Sequence, residues 1–374
     1  MNDASTGTGT GTAAVETIGL GKNYGQVRAL KSVDLTIAPG EYFVLLGPSG
    51  GGKTTLLRLI GGFIRPTAGR VLLNGRDVSH LPPDKRSTSM VFQSYALFPH
   101  MTVAQNVGYG LRLRKRPRDE IEAEVEAMLD LVGLAGYGGR RTFELSGGQQ
   151  QRVQLARALI LKSDILLLDE PLAALDAQLR KDMCFELKHL QEKVGITFIH
   201  VTHNQEEAMA VADRIAVVAG GDLVETAGVR DIYEHPQRRF TAGFVGERNI
   251  FDGTLASVSD GIATVQVGER TIAAAIGSVA PPPVGGPVSV SIRSESLELL
   301  DAPPDTSATG LHALEGTYVE GAYLGLVTRH VVRLASGQEI GVRAVTAGRS
   351  AAHMTPGGTV YVAWRPADAA LHMA

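Results

Sequence analysis

The sequence predicts an α/β domain built on a largely parallel sheet, carrying a helical insertion and followed by a small all-β domain. Three observations carry this reading. From Val15 to about Pro236, short apolar runs (YFVLLG at 42–47, ILLLDE at 165–170, ITFIHVTH at 196–203) alternate with helical patterns, as strand–helix–strand units do. Between Thr102 and Gly139 the pattern turns helical, a basic cluster LRLRKRPR at 111–118 preceding IEAEVEAMLDLVGL at 121–134. After Gln237 short runs such as ATVQV, VSVSI, VTRHVVRL and TVYVAW, punctuated by Gly and Pro, mark an all-β unit. The expected division is a disordered tail over 1–14, an α/β domain over 15–240 with its insertion at about 102–160, and a β-barrel domain over 241–374.

The tail is expected because ASTGTGTGT at 4–12 is a low-complexity Gly/Thr stretch with too little apolar surface to bury. Over the whole chain, 44% hydrophobic and 20% charged residues suit a folded globular protein, and 44 glycines in 374 residues point to many special turns. A net charge of −3 provides no global field for nucleic acid or anionic lipid. The charge divides along the chain, since residues 241–374 hold eight arginines, twelve acids and no lysine. Cys184 is the single cysteine, which excludes intrachain disulfides and multi-cysteine zinc sites and fits a reducing compartment. Met1, Asn2 and Asp3 do not open a signal peptide, and no run approaches the ~20 apolar residues of a membrane span.

The strongest chemical motif is Gly47, Pro48, Ser49, Gly50, Gly51, Gly52, Lys53, Thr54, which fits G-x-x-x-x-G-K-[ST] between an apolar strand and the helical run TTLLRLI that continues through Thr55. Glycines let backbone N–H groups wrap a phosphate, and a helix N-terminus favours the anion. The lysine reaches the terminal phosphates, and the hydroxyl serves Mg²⁺. At the end of ILLLDE, Asp169 can reach that magnesium and Glu170 can polarise a water beside the terminal phosphate. A second serine–glycine turn, Ser146, Gly147, Gly148 and Gln149 in LSGGQ, precedes another helix and is again suited to an anion; an N-cap alone explains only the serine.

At these residues the chain resembles the ATP-binding cassette family, specifically the stand-alone ATPase subunit of a bacterial importer, and the resemblance spans nearly the whole chain. It implies ATP and Mg²⁺ as cofactors, an adenine stacked on Tyr24, and Gln93 touching the magnesium and the attacking water. It implies Glu170 as general base and His203 at the γ-phosphate, holding Glu170 and water in line. Thr54, Gln93 and Asp169 would hold the metal, while Lys53, Thr54 and Thr55 belong with the loop glycines to the nucleotide set. Asp176 would sit at the seam of a head-to-tail dimer, although alone it reads as the N-cap of AQLRKDMCFELKHL. In that dimer, Ser146 to Gln149 of one copy cover ATP on the Gly47–Thr54 loop of the other, and Ser94 to Phe98 face the membrane partner.

The loop departs from many relatives at Gly51 and Thr54, where cysteine and serine are frequent; the motif leaves position 51 free, and Thr54 keeps its hydroxyl. Beyond residue 240 the chain looks like the small OB-related (TOBE) barrels that follow such cassettes, through FVGERNIFDGTL, VSIRSESLEL and Gly316 to Gly325. The lysine-free, acidic character of this domain favours a dimer-contact or small-ligand role over nucleic acid, because an oligonucleotide groove needs clustered bases and stacking aromatics. FQSYALFPHMTVAQNV and FVGERNIFDG look most like polyamine importers for putrescine or spermidine. Similar cassettes serve ferric iron, phosphonates and sugars, and another class acts on nucleic acid or ribosomes. The resemblance places the chain peripherally on the cytoplasmic face of the inner membrane, with two permease subunits and a solute-binding protein. Lys53→Ala is expected to abolish ATP binding, read by titration with labelled nucleotide; undiminished affinity would remove the phosphate-loop assignment.

Overall fold

A computed structural model describes residues 12–93, 96–276, 281–345 and 354–373. Its chain divides into two compact units between Val229 and Arg230. Residues 1–11 of the expected tail, and Ser94 and Tyr95 of the segment expected to face a membrane partner, lie outside the described residues. Packing already holds at Ala14, inside the span expected to be a tail: the residue is buried and its N–H donates to the Ile37 carbonyl.

The first unit contains strands β1 (Val15–Tyr24), β2 (Val27–Ile37), β3 (Tyr42–Leu46), β4 (Ala68–Leu73), β5 (Arg76–Asp77), β6 (Thr88–Val91), β7 (Ile165–Asp169), β8 (Thr197–Thr202), β9 (Arg214–Ala219) and β10 (Asp222–Gly228). Six of them form a sheet in the order β10-β9-β3-β8-β7-β6, parallel except for β10 at the edge. Every residue of β3, β7 and β8 is buried, as expected for parallel strands covered on both faces, and this burial is why they read as unbroken apolar runs. Alternation of strand and helix does not announce the second sheet, an antiparallel layer in the order β2-β1-β4-β5. Helix α1 (Lys53–Ile60) shares one core with both sheets, through Leu56, Leu57, Phe43, Leu167, Val33 and Val71.

The helical insertion comprises α2 (Val103–Val107), α3 (Tyr109–Leu113), α4 (Arg118–Leu131) and α5 (Gly147–Leu159). It has its own core of Val107, Ile121, Val125, Leu129, Val153 and Ala156. Helices α6 (Ala177–Val194) and α7 (Gln205–Val211) follow β7 and β8.

The second unit starts earlier than residue 241. Helices α8 (Val229–Glu234) and α9 (Arg239–Phe244) lead into it, and its polar contacts hold the connecting segment: Arg248 donates to the Tyr233 carbonyl, Tyr233 donates to Glu295 at 2.9 Å, and the Arg293 guanidinium lies 3.6 Å over the Tyr233 ring. Strands β11 (Arg248–Ser259), β12 (Ile262–Val267), β13 (Arg270–Ala275), β14 (Pro287–Arg293), β15 (Glu298–Leu300), β16 (His312–Tyr323), β17 (Val327–Leu334), β18 (Glu339–Val345), β19 (Thr359–Trp364) and β20 (Ala369–Met373) follow, with a short helix α10 (Thr306–Thr309) between β15 and β16. The closed barrel β11-β12-β13-β20-β14 is sealed by the last strand, and an antiparallel sheet β15-β19-β16-β17-β18 accompanies it. Phe251, Val265, Val290, Val332, Val362 and Trp364 belong to their common core.

One buried group on β8 sets a pH dependence for the first unit. His200 is 0% exposed and its Nδ1 is hydrogen-bonded to the Tyr42 hydroxyl at 3.1 Å. Burial pushes its pKa down to about 3. An unfolded histidine titrates near ~6.5, so the unfolded chain takes up the proton first as pH falls. This contribution is complete above the unfolded pKa and is lost from about 6.5 toward the folded value, by roughly 1.4 kcal/mol per pH unit at most. Denaturant titrations at pH 7 and pH 5.5 are expected to show that stability loss, and His200→Gln to reduce it; an unchanged pH slope in the variant would exclude His200 as the source.

Candidate nucleotide-binding and hydrolysis site

The site forms where β3, β7 and β8 end side by side, because each strand turns there into a functional segment. After β3 the chain enters the loop 47–52 and then α1. Gly50 and Gly52 have φ of 76° and 109°, and Gly52 is the N-cap of α1 without any side-chain cap, leaving the first backbone N–H groups of the helix for an anion. Steric demands reach beyond these dihedrals. A Cβ at Gly47 would lie 2.0 Å from the Val218 carbonyl oxygen, and one at Gly51 would lie 2.7 Å from the same atom. Position 51, free in the phosphate motif, is therefore restricted by packing against β9: a side chain there requires backbone movement. Pro48 and Ser49 complete the loop, and Thr55 follows Thr54 in the first turn of α1.

Lys53 is 4% exposed, and its Nζ donates to the carbonyls of Gly47 at 2.8 Å and Pro48 at 2.9 Å, so the ammonium lies inside its own loop. Burial draws its pKa down, while the charges of Glu170 and Asp169 oppose that shift. The Thr54 hydroxyl donates to Asp169 Oδ1 at 2.9 Å. Asp169 is buried, which raises its pKa against the hydrogen bond from Thr54 and the charge of Arg58. Arg58 Nη2 stands 3.7 Å from Asp169 Oδ2. Sequence reasoning missed this arginine, although it lies one helical turn after Thr54 and therefore on the same face of α1.

Glu170 leaves β7 with φ of 46°, a left-handed conformation uncommon for a residue with a side chain. Its backbone N–H donates to the Val201 carbonyl of β8. Gln93, two residues beyond β6, donates from Nε2 to Glu170 Oε2 at 3.2 Å, and His203 Nδ1 lies 3.4 Å from the same oxygen. Thus three residues far apart in sequence meet at one carboxylate. Gln154 of α5 donates to the Phe92 carbonyl, and Arg157 of the same helix to that of Ala96, fixing both ends of the segment that carries Gln93.

The remaining expected residues occupy separate places. Tyr24 ends β1 opposite Val27, an exposed residue with Lys22 Nζ 5.1 Å from its ring centre. The hairpin approaches the phosphate loop through Ala29 and Leu30, whose atoms would lie within 2.9 Å of a Cβ at Gly52. Ser146 caps α5: its hydroxyl accepts from the Gln149 N–H, while Gln149 Oε1 accepts from the Ser146 N–H at 3.0 Å. Gly147 and Gly148 form the first turn, where a Cβ at Gly148 would meet Leu179 at 3.3 Å. Asp176 caps α6, accepting from the Leu179 N–H at 2.9 Å.

A phosphate loop at the carboxyl end of an interior parallel strand, an acid pair at the end of the next strand but one and a helical insertion whose last helix starts at a serine–glycine turn define a nucleotide-binding ATPase cassette. Comparisons with known proteins agree. The ABC transporter family model matches residues 30–173, and the TOBE domain model matches residues 290–371. The chain is 46% identical over 369 residues to the spermidine/putrescine import ATP-binding protein PotA of Frankia alni, covering 95% of this chain and 78% of that one. It is 47% identical over 336 residues to the protein of the same name from Mesorhizobium japonicum, covering 88% and 89%. Among solved structures, cbiO1 from Clostridium perfringens, described as part of the ABC transporter complex cbiONQ, is 30% identical with a TM-score of 0.56, covering 59% of this chain and 90% of its own. The chain belongs to the ATP-binding proteins of the ABC transporter family.

Gly47→Ala is expected to destabilise the first unit by about 1–3 kcal/mol, the usual cost of overpacking, and to lose nucleotide binding with it. Denaturation and labelled-ATP titration check this; a variant with intact stability and affinity would show that the approach to Val218 yields without cost.

Proposed function

We propose that this chain hydrolyses Mg-ATP to energise import of a polyamine, putrescine or spermidine, through separate membrane subunits. The observation that carries the chemistry is the Glu170 carboxylate held between Gln93 and His203, on the strand that also brings Asp169 to Thr54. In this reading Glu170 takes the proton of the attacking water, and His203 and Gln93 orient that water and the γ-phosphate. General-base assistance of this kind contributes roughly 10²- to 10⁴-fold in rate. Lys53 exchanges the carbonyls of Gly47 and Pro48 for the terminal phosphates, and the N–H groups of Gly50 to Thr55 hold the phosphate chain. Tyr24 stacks on adenine.

The donors present suit a hard divalent cation: the Thr54 hydroxyl and an Asp169 oxygen stand 2.9 Å apart, and Gln93 brings an amide oxygen. Those three residues would hold Mg²⁺, which when bound neutralises charge on the β- and γ-phosphate oxygens.

Two copies arranged head to tail would place Ser146, Gly147, Gly148 and Gln149 of one over the phosphate loop of the other, with Asp176 at the seam. Two permease subunits and a solute-binding protein complete the system, and the chain works at the cytoplasmic face of the membrane. Among the described residues no helix is long and apolar enough to cross it. Support for the polyamine comes from the Frankia alni and Mesorhizobium japonicum relatives, both named spermidine/putrescine import ATP-binding proteins.

Uptake of labelled putrescine and spermidine tests this reading, with ferric iron and a sugar as controls, in cells carrying wild type or Glu170→Gln as the sole copy. Selective loss of polyamine uptake in the variant is expected. Normal polyamine entry with loss of another solute would overturn the substrate, and unchanged uptake of all four would overturn the importer.

A further inference from the structure

Glu207 is a buried acid with no part in the chemistry above. It lies on α7, 5% exposed, four residues after His203. Its Oε2 accepts from the Thr202 hydroxyl at 2.6 Å, and the Thr202 hydroxyl in turn accepts from the Asn204 N–H at 2.9 Å. Asn204 Oδ1 then accepts from the Glu207 N–H at 3.1 Å. His203 therefore sits between two residues whose polar groups are tied to one carboxylate and its backbone.

The second oxygen, Oε1, lies 3.3 Å from Nε of Arg180, a residue of α6. The same guanidinium donates from Nη2 to the Leu175 carbonyl at 2.8 Å and from Nε to the Leu172 carbonyl at 3.4 Å. Leu172 and Leu175 belong to the short loop between Glu170 and Asp176. This loop carries the proposed base at one end and the residue expected at the dimer seam at the other.

We infer that Arg180 and Glu207 are positioning residues which clamp the Glu170–Asp176 loop to the Thr202–Asn204 turn, so that Glu170 and His203 keep one mutual geometry. A guanidinium suits this task because its planar fork reaches the carbonyls and the carboxylate at once, whereas an ammonium is a single point charge. Glu207→Gln keeps an oxygen for Thr202 and removes the charge that holds Arg180. Among the described residues neither side chain is hydrogen-bonded or ion-paired to the phosphate loop, so the clamp acts on hydrolysis through Glu170 and His203 and leaves nucleotide binding to residues 47–55.

The inference rests on the hydrolytic reading of the site, and the experiment separates the two. ATPase kinetics and fluorescent-ATP affinity are measured for wild type, Glu170→Gln, Arg180→Lys and Glu207→Gln, with Arg180→Lys also placed in the Glu170→Gln background. Expected for both clamp variants is a kcat lower by about ten- to a hundredfold with unchanged nucleotide affinity, the cost of misplacing reacting groups. In the Glu170→Gln background Arg180→Lys should add no further loss, because the group it positions is already gone. Wild-type kcat in both clamp variants, equal loss of affinity and kcat, or a full additional loss in the double variant would each overturn the clamp. Should Arg180→Lys fail to fold by thermal unfolding, the outcome rests on Glu207→Gln, alone and with Glu170→Gln. A wild-type chain that hydrolyses no ATP would instead overturn the reading of the site itself.

Discussion

The parallel register of β3, β8 and β7 is the constraint from which the site follows. Leu46 pairs with Thr202, and Val201 with Asp169, so three chain segments leave the sheet at one level. A one-residue slip of such a strand would exchange its two side-chain faces, each of which is already packed against a different layer. The heights of Lys53, Glu170 and His203 are thereby set by the sheet, and their short connections have little freedom left to misplace them. What remains adjustable lies outside it: Gln93 depends on α5, and the Glu170–Asp176 loop depends on Arg180.

Much of this was legible because burial leaves a simple trace. Strands covered on both faces must be apolar throughout, and YFVLL, ILLLD and TFIHVT are nearly so. The phosphate loop was legible for a chemical reason, since few sequences combine that many glycines with a lysine and a hydroxyl at the right interval. The insertion was readable from its helical period, which matches α2 to α5.

The rest depends on partners distant in the chain. Nothing near Gly51 tells that the Val218 carbonyl lies against it, and the motif alone leaves that position open. In NQEEAMAVA, Glu207 resembles its neighbour Glu206; only the packing of α6 beside α7 makes one an ordinary surface acid and the other a buried ligand of Arg180. The antiparallel sheet β2-β1-β4-β5 was hidden because its strands are buried only in part, and the start of the second unit because Tyr233 precedes by many residues the Arg293 and Glu295 that hold it.

Ser146 and Gln149 fasten the beginning of α5 to itself. A serine cap is worth about 1 kcal/mol to a helix, so any ligand that recruits this hydroxyl must first loosen the turn it secures. The same helix anchors Phe92 and Ala96 on either side of Gln93 through Gln154 and Arg157. The thirteen residues of α5 thus join a self-capped turn at one end to the flanks of the residue that touches Glu170 at the other. One helix serves as both cap and brace.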